Sequence, residues 1–212
     1  MNLVFAMILS IGIKGISAIV EIAIQMLITN GAGVSEYGEY TFFVSLIEGA
    51  YFVLFSGSVK LNTFYLSTPS ASLTKFKRKY TLYFVTPIIA VIVAAFAIMK
   101  NPYGVLSGII LYIYYFAFDT SSVFFSRGKQ LPALLGEYLF GRIILLIGML
   151  AVIKLNKATG IILLALYGLQ FVTMLLWFAP YKKTLNSGSE EISVHLKKLV
   201  EYQMSDVANS LI

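Results

Sequence analysis

The stretch LVFAMILSIGIKGISAIVEIAIQMLIT, Leu3 to Thr29, is apolar over more than a bilayer's width, yet it carries Lys14 near its middle and Glu21 two turns later. About 20 apolar residues suffice for a helix to cross a membrane, and a central charge costs about 2.5 to 3.5 kcal/mol. The segment is too long for the apolar region of a signal peptide. It therefore predicts a retained membrane helix whose charges need a functional or structural reason.

Five further segments have the same length and apolar character: Tyr40 to Lys60, Tyr80 to Met99, Val105 to Phe125, Leu131 to Leu155, and Ile161 to Phe178. The composition, 58% hydrophobic and 12% charged, excludes an ordinary soluble domain. We predict an all-α, polytopic integral membrane protein with a six-helix transmembrane bundle over residues 1–180. A cytoplasmic linker over 181–193 and the start of a truncated seventh helix over 194–212 are expected to follow.

Basic residues are unevenly shared between the two sides of this predicted bundle. One side has only Lys100, Lys154 and Lys157. The loops and tail of the other side hold the larger group: Lys75, Lys77, Arg78, Lys79, Arg127, Lys129, Lys182, Lys183, Lys197 and Lys198. Because Lys and Arg are retained in the cytoplasm, this asymmetry predicts a cytoplasmic N-terminus. The net charge of +6 is then a topology signal, and it requires no nucleic-acid partner.

Two predicted helices carry polar stripes at helical spacing. The first stripe comprises Ser10, Lys14, Ser17, Glu21 and Gln25, and the second comprises Tyr112, Tyr115, Asp119, Ser122 and Ser126. Such a stripe favours a water-filled cavity, although charges tied to neighbouring helices and an aromatic packing seam are the alternatives. Tyrosines beside an acid and hydroxyls suit sugars, which stack on rings and exchange hydrogen bonds.

The second and fifth helices add deep charges. Glu48 shares a helix face with Thr41 and Ser45. Glu137 and Arg142 lie five residues apart, about 140° around an α-helix, so they need not pair with each other. Arg142 cannot lose its charge and is a candidate to meet an anion, the alternative being a structural pair with Glu48 or Asp119.

Metal and enzyme chemistry have little support in the sequence. There is no cysteine and His195 is the single histidine, which excludes a thiolate site and a histidine cluster, so we predict no metal and no cofactor. A membrane glycosyltransferase or polysaccharide polymerase needs acids or histidines in sizeable loops, and the longest predicted loop, Thr68 to Lys79, has neither. We therefore do not expect an enzyme.

The outer turn expected between the first two helices has the sequence Ser35-Glu36-Tyr37-Gly38-Glu39-Tyr40-Thr41-Phe42. With this motif as the strongest match, the chain resembles the O-antigen and polysaccharide flippases of the multidrug, oligosaccharidyl-lipid and polysaccharide exporter superfamily. Three further segments follow in family-like order: Gly57 with Lys60 to Ser67, Arg127-Gly128-Lys129, and Lys197 to Leu211.

The resemblance implies two six-helix lobes around a cavity that moves undecaprenyl-diphosphate-linked oligosaccharide across the bacterial cytoplasmic membrane. This chain holds the first lobe and the beginning of the second, so we expect a truncated product or a chain that pairs with a C-terminal half; a polysaccharide polymerase is a further candidate partner. The expected roles are as follows: Lys14 and Arg142 meet the diphosphate, Tyr112 and Tyr115 the sugars, and Glu21, Glu48, Asp119 and Glu137 tune the cavity or carry a coupling cation. Alternatives are a drug or peptidoglycan-precursor exporter of the same fold and a non-functional remnant.

Overall fold

A computed structural model of the chain describes residues 3–67, 71–181 and 190–191. Six long helices account for almost all of these residues: α1 (Leu3–Gly31), α2 (Val34–Tyr65), α3 (Thr74–Ile98), α4 (Pro102–Ser126), α5 (Gln130–Lys154) and α6 (Gly160–Phe178). A 3₁₀ turn, Ala179–Tyr181, extends α6. All six helices are long and apolar enough to cross a membrane, which confirms the predicted six-helix bundle and is consistent with a multi-pass membrane protein.

The helices α2 and α3 both begin before their predicted starts, because charged residues continue the helices instead of forming loops, and α2 also ends at Tyr65, beyond the predicted Lys60. The helix α2 begins at Val34, so the motif Ser35 to Phe42 lies in its first turns and not in a turn between helices. An acid such as Glu36 is favourable there, because the amino end of a helix carries partial positive charge. The helix α3 begins at Thr74, and its basic residues Lys75 to Lys79 are helical. The predicted loop Thr68 to Lys79 is correspondingly shorter.

The helices α2, α4 and α6 form the centre of the bundle. The helix α4 packs against α2, α3 and α6, whereas α3 rests mainly on α4, and α1 mainly on α5. Aromatic rings fill the centre: Tyr114 meets Tyr51 at 4.6 Å and Phe171 at 4.6 Å between ring centroids. Edge-to-face contacts of this kind stabilise beyond the area they bury.

Glycines allow two of the helix crossings to be close. A Cβ atom on Gly108 would lie 2.6 Å from a Val93 methyl group, and one on Gly104 would overlap the Phe96 ring. Gly104 and Gly108 are four residues apart and share one face, so α3 can lie directly on the α4 backbone. Gly141 similarly brings α5 to within 3.0 Å of the Gln170 carbonyl oxygen, measured from an added Cβ.

Two helices contain π-helical turns, at Thr81–Val85 in α3 and at Leu135–Phe140 in α5. The first precedes Pro87, which lacks the N–H that an α-helix would use at that point. The short strands Ala71–Ser72 and Glu190–Glu191 pair in parallel. Apart from Tyr181 and this strand, the predicted linker and seventh helix lie outside the described residues.

We call the end of the bundle at which α1 begins and α2 ends the basic end, because Lys75 to Lys79 lie there. The other end contains the turns between α1 and α2, between α3 and α4, and between α5 and α6.

Candidate functional site

A small polar cavity of about 40 Å³ lies between α2, α4, α5 and α6. Its polar lining consists of Glu48, Glu137, Arg142, Tyr167 and Gln170, and aromatic rings from α4 and α6 complete the wall. A single water needs roughly 10 to 15 Å³ by the same kind of measure, so the space suits a few waters or part of a ligand. Glu48 is exposed on α2, so the cavity reaches the surface of the bundle at this residue.

The two carboxylates of the cavity are held by hydroxyl groups. The Tyr167 hydroxyl donates to Glu48 Oε1 at 2.7 Å, and the Ser121 hydroxyl donates to Glu137 Oε2 at 2.7 Å. Each bond joins two helices, α6 to α2 and α4 to α5. Hydroxyl donors orient a carboxyl group and leave it further oxygen lone pairs for a cation or for sugar hydroxyls.

Arg142 forms an ion pair with Glu21, which joins α5 to α1. The sequence suggested Glu48 or Asp119 as the ion-pair partner of Arg142, and neither of them is the partner in the structure. Glu21 was not among the partners considered. Both side chains are about one third exposed, 29% for Arg142 and 33% for Glu21. A guanidinium has five donors in a planar fork, so this pair leaves donors of Arg142 able to reach a second acceptor.

The π turn of α5 brings Glu137 and Arg142 to the same cavity. On a regular α-helix these residues would lie about 140° apart. A π turn closes i→i+5 hydrogen bonds and so reduces the rotation between residues five apart, and such turns are frequent at functional sites. Both residues line the cavity, and they do not pair with each other, as expected from the sequence.

The polar stripe of α1 is divided between two environments. Ser17 is buried and Glu21 meets Arg142, whereas Lys14 and Gln25 are exposed. The Lys14 ammonium lies 5.4 Å from the centre of the Tyr138 ring, a cation–π distance. Tyr138 belongs to the same π turn as Glu137, so Lys14 flanks the cavity from the side of α1.

Asp119 belongs to a different polar cluster, nearer the basic end. Its carboxylate accepts from Lys77 Nζ at 2.7 Å and from Asn62 Nδ2 at 2.9 Å, and Asn62 Nδ2 also lies 2.5 Å from Ser122 Oγ. Asn62 is fully buried. The structure therefore places Asp119 where it ties α2, α3 and α4 together, and does not bring it to the cavity.

Tyr112 and Tyr115 also lie apart from the cavity. Their hydroxyls pair with Thr86 and Thr81 of α3, each at 3.3 Å. The Tyr115 side chain is only 1% exposed. These contacts correspond to the aromatic seam that was the alternative interpretation of the second stripe. The predicted contact of these tyrosines with sugars stays a prediction, and neither tyrosine lines the cavity.

The sequence-based site omitted two residues of α6 that line the cavity, Tyr167 and Gln170. Both are buried, with 3% and 4% of their surface exposed. They could have been found from the sequence, since they are three residues apart on a largely apolar helix and so share one face.

The motif acids Glu36 and Glu39 lie at the end of the bundle opposite the basic end. There Glu36 accepts a hydrogen bond from the Gly160 N–H, and Glu39 is hydrogen-bonded to the Tyr103 hydroxyl.

We call the charged residues in and beside the cavity the charged cluster: Lys14, Glu21, Glu48, Glu137 and Arg142. Its cations, Arg142 and Lys14, can bind an anion, and its three acids can bind a cation. Among the residues that the structure describes, no three histidine or acidic side chains converge in a way that could hold a metal ion. Comparison with protein families, with curated proteins and with solved structures gives no match to this chain.

Proposed function

We propose that this protein moves lipid-linked oligosaccharides across the bacterial cytoplasmic membrane, as a flippase or as its N-terminal half. The observation that carries the proposal is Arg142, a permanent cation that lines a cavity among helices of membrane-spanning length. Intramembrane charges are costly and mark pathways for polar substrates. The resemblance of the Ser35 to Phe42 motif to the polysaccharide flippases supports the choice of substrate.

Arg142 and Lys14 would meet the diphosphate of such a substrate. The guanidinium fork matches two phosphate oxygens, whereas the Lys14 ammonium supplies a point charge beside it. Because Glu21 occupies Arg142, the diphosphate has to compete with this carboxylate. Glu48, Tyr167 and Gln170 offer acceptors and donors to sugar hydroxyls. The cavity holds only a fraction of one sugar unit, so transport requires the helices around it to separate.

The orientation follows from the basic end. It bears Lys75, Lys77, Arg78 and Lys79 at the start of α3, and we place this end, with the N-terminus, in the cytoplasm. Since the chain lacks cysteine, a single cysteine at Lys79 or at Lys157 can be labelled from outside intact spheroplasts with a membrane-impermeant maleimide. Labelling at Lys157 alone is expected, and labelling at Lys79 alone contradicts the orientation.

The test of transport is reconstitution of the purified chain in liposomes with a fluorescent undecaprenyl-diphosphate-linked oligosaccharide. A membrane-impermeant quencher measures the fraction that has changed leaflet. We expect Arg142→Ala to reduce the initial rate at least about tenfold, the equivalent of one lost charge-assisted contact of about 1.4 kcal/mol. Arg142→Lys should retain part of the rate, because it keeps the charge but not the fork.

Lys154→Ala is the matched control, since it removes one positive charge from the exposed carboxyl end of the same helix. It should leave the rate unchanged. An Arg142→Ala protein with the parent rate contradicts the proposal, and a parent protein that moves no labelled lipid contradicts transport by this chain alone.

A drug exporter of the same fold is the second candidate, and the excess of acids over cations in the charged cluster favours it. Three carboxylates, Glu21, Glu48 and Glu137, face two cations, and aromatic rings line the cavity. Acids beside rings suit organic cations. Energy-dependent efflux of ethidium, lost in Glu48→Gln and retained in Arg142→Ala, would favour this candidate over the flippase.

A further inference from the structure

One side of the bundle exposes polar side chains where the surrounding surface is apolar. Lys14 and Gln25 on α1, and Thr41, Ser45 and Glu48 on α2, are all exposed. The helix α1 has 29 residues, and Lys14 lies about 16 Å from its start, well inside the width of a bilayer. Leaving Lys14 against lipid costs about 2.5 to 3.5 kcal/mol on insertion scales, so a polar neighbour or water has to cover this side.

The same side contains small residues that pack against nothing in the described part of the chain. An added Cβ atom would meet no atom within 4 Å at Gly15 of α1 or at Gly49 of α2. By contrast, the helical glycines of α4, α5 and α6 all face a close neighbour from another helix. Thr41, Ser45 and Gly49 are spaced four apart, and such small-xxx-small stripes allow helices to approach closely in membranes.

We define the α1–α2 face by these exposed residues: Lys14, Gly15, Ala18 and Gln25 of α1, and Thr41, Ser45, Glu48 and Gly49 of α2. Its polar residues match in depth between the two helices. Measured from the ends of α1 and α2 nearest their shared turn, Gln25 lies about 9 Å deep and Thr41 about 10 Å deep. Lys14 lies about 26 Å deep and Glu48 about 21 Å deep, a difference that a flexible lysine side chain can span.

We propose that the α1–α2 face is the interface of a twofold symmetric dimer, in which α1 of one copy packs against α2 of the other. An axis parallel to the helices keeps depths equal, so it brings Lys14 to Glu48 and Gln25 to Thr41 of the second copy. A second copy is the occupant because the face is self-complementary in charge, with a cation on α1 and an acid on α2. Glu48 also lines the cavity, so the two cavities open toward each other across the interface. The proposal does not depend on what is transported.

Cysteine crosslinking tests this geometry directly, because the chain has no cysteine of its own. Gln25→Cys and Thr41→Cys are made in separate, differently tagged chains, which leaves Lys14 and Glu48 in place. After the two proteins are mixed in detergent and reconstituted together, a short bis-maleimide should join the two tags. The matched control is a second pair of single-cysteine chains, Val91→Cys on α3 and Ile147→Cys on α5, at exposed apolar positions of other helices. Crosslinking of the control pair as efficient as that of the Gln25–Thr41 pair overturns the interface.

Charge exchange separates the specific dimer from loose aggregation. Lys14→Glu and Glu48→Lys alone should each shift the protein from dimer to monomer, at least about tenfold in dissociation constant, because like charges then face each other in the interface. The double variant Lys14→Glu/Glu48→Lys should restore the dimer. Failure of the double variant to recover, while it remains folded by circular dichroism, overturns the proposal.

Bulk on the small stripe provides an independent readout. Gly49→Leu should abolish the dimer by holding the helices apart, whereas Ala94→Leu, on an exposed position of α3, should not. The mass of the parent protein in nanodiscs should be that of a dimer. A parent that is monomeric at all concentrations, with the α1–α2 face covered by lipid or by another polypeptide, also overturns the proposal.

Discussion

Substitution of Asp119 by alanine should destabilise the bundle without touching the cavity. In the structure this carboxylate accepts from Lys77 of α3 and Asn62 of α2, so it joins three helices near the basic end. The Lys77 and Asp119 side chains are 22% and 13% exposed, so neither is fully removed from water. After the substitution Lys77 can be hydrated again, whereas Asn62 stays buried.

The expected loss is about 2 kcal/mol of the free energy of unfolding. The Lys77 pair, partly exposed, contributes about 1 kcal/mol. The Asn62 bond contributes about 1 kcal/mol, within the range measured for interhelical hydrogen bonds in membranes. The second contribution is limited because Asn62 Nδ2 retains Ser122 Oγ at 2.5 Å and the carbonyl oxygen of residue 119 at 3.3 Å. Asp119→Asn keeps an acceptor for both donors, so it should cost only about half as much.

The assay is reversible unfolding in mixed micelles, followed by circular dichroism as the fraction of denaturing detergent rises. A double-mutant cycle of Lys77→Met with Asp119→Ala should give a coupling energy of about 1 kcal/mol. An Asp119→Ala protein within about 0.5 kcal/mol of the parent, the range of an ordinary surface substitution, would refute the reasoning. So would an Asn variant as unstable as the Ala variant.

Two further substitutions test the helix contacts by the same titration. Glu36→Ala should cost about 1 kcal/mol, because the Gly160 N–H at the start of α6 loses its acceptor and the helix end its counter-charge; an unchanged midpoint would contradict this cap. Gly141→Ala should cost about 1 to 3 kcal/mol, since the added Cβ lies 3.0 Å from the Gln170 carbonyl oxygen on the backbone of α6. Gly12→Ala, with no neighbour within 4 Å, is its control, and equal losses in both would contradict the close α5–α6 packing.

The number and order of the helices were predictable because each apolar run is as long as a membrane span and is separated from the next by residues that break helices. The ends were less predictable where charged residues could serve either a loop or a helix. At Ser35 to Glu39 the outcome depends on partners from α4 and α6, Tyr103 and Gly160, which are far away in the sequence. Local pattern holds no information about such partners.

The candidate site was predictable in part. The spacing of polar residues identified Glu48, Glu137 and Arg142, which do line one cavity. It could not identify the partner of Arg142, since any acid on a neighbouring helix is compatible with the same spacing. It also grouped Asp119 with Tyr112 and Tyr115 on one face of α4, although this face packs against α2 and α3. A polar stripe predicts that polar partners exist, but not whether they are protein or water.

The π turn at Leu135–Phe140 lets α5 hold one residue more than a regular helix of the same length. Deletion of one residue between Glu137 and Arg142 would leave the two four apart, about 40° around an α-helix, so both would still face the cavity. The same deletion between Arg142 and Gly148 would turn Gly148 by about 100°, away from Leu166 of α6. The π turn is thus the place at which α5 can change its length by one residue and keep its charged site.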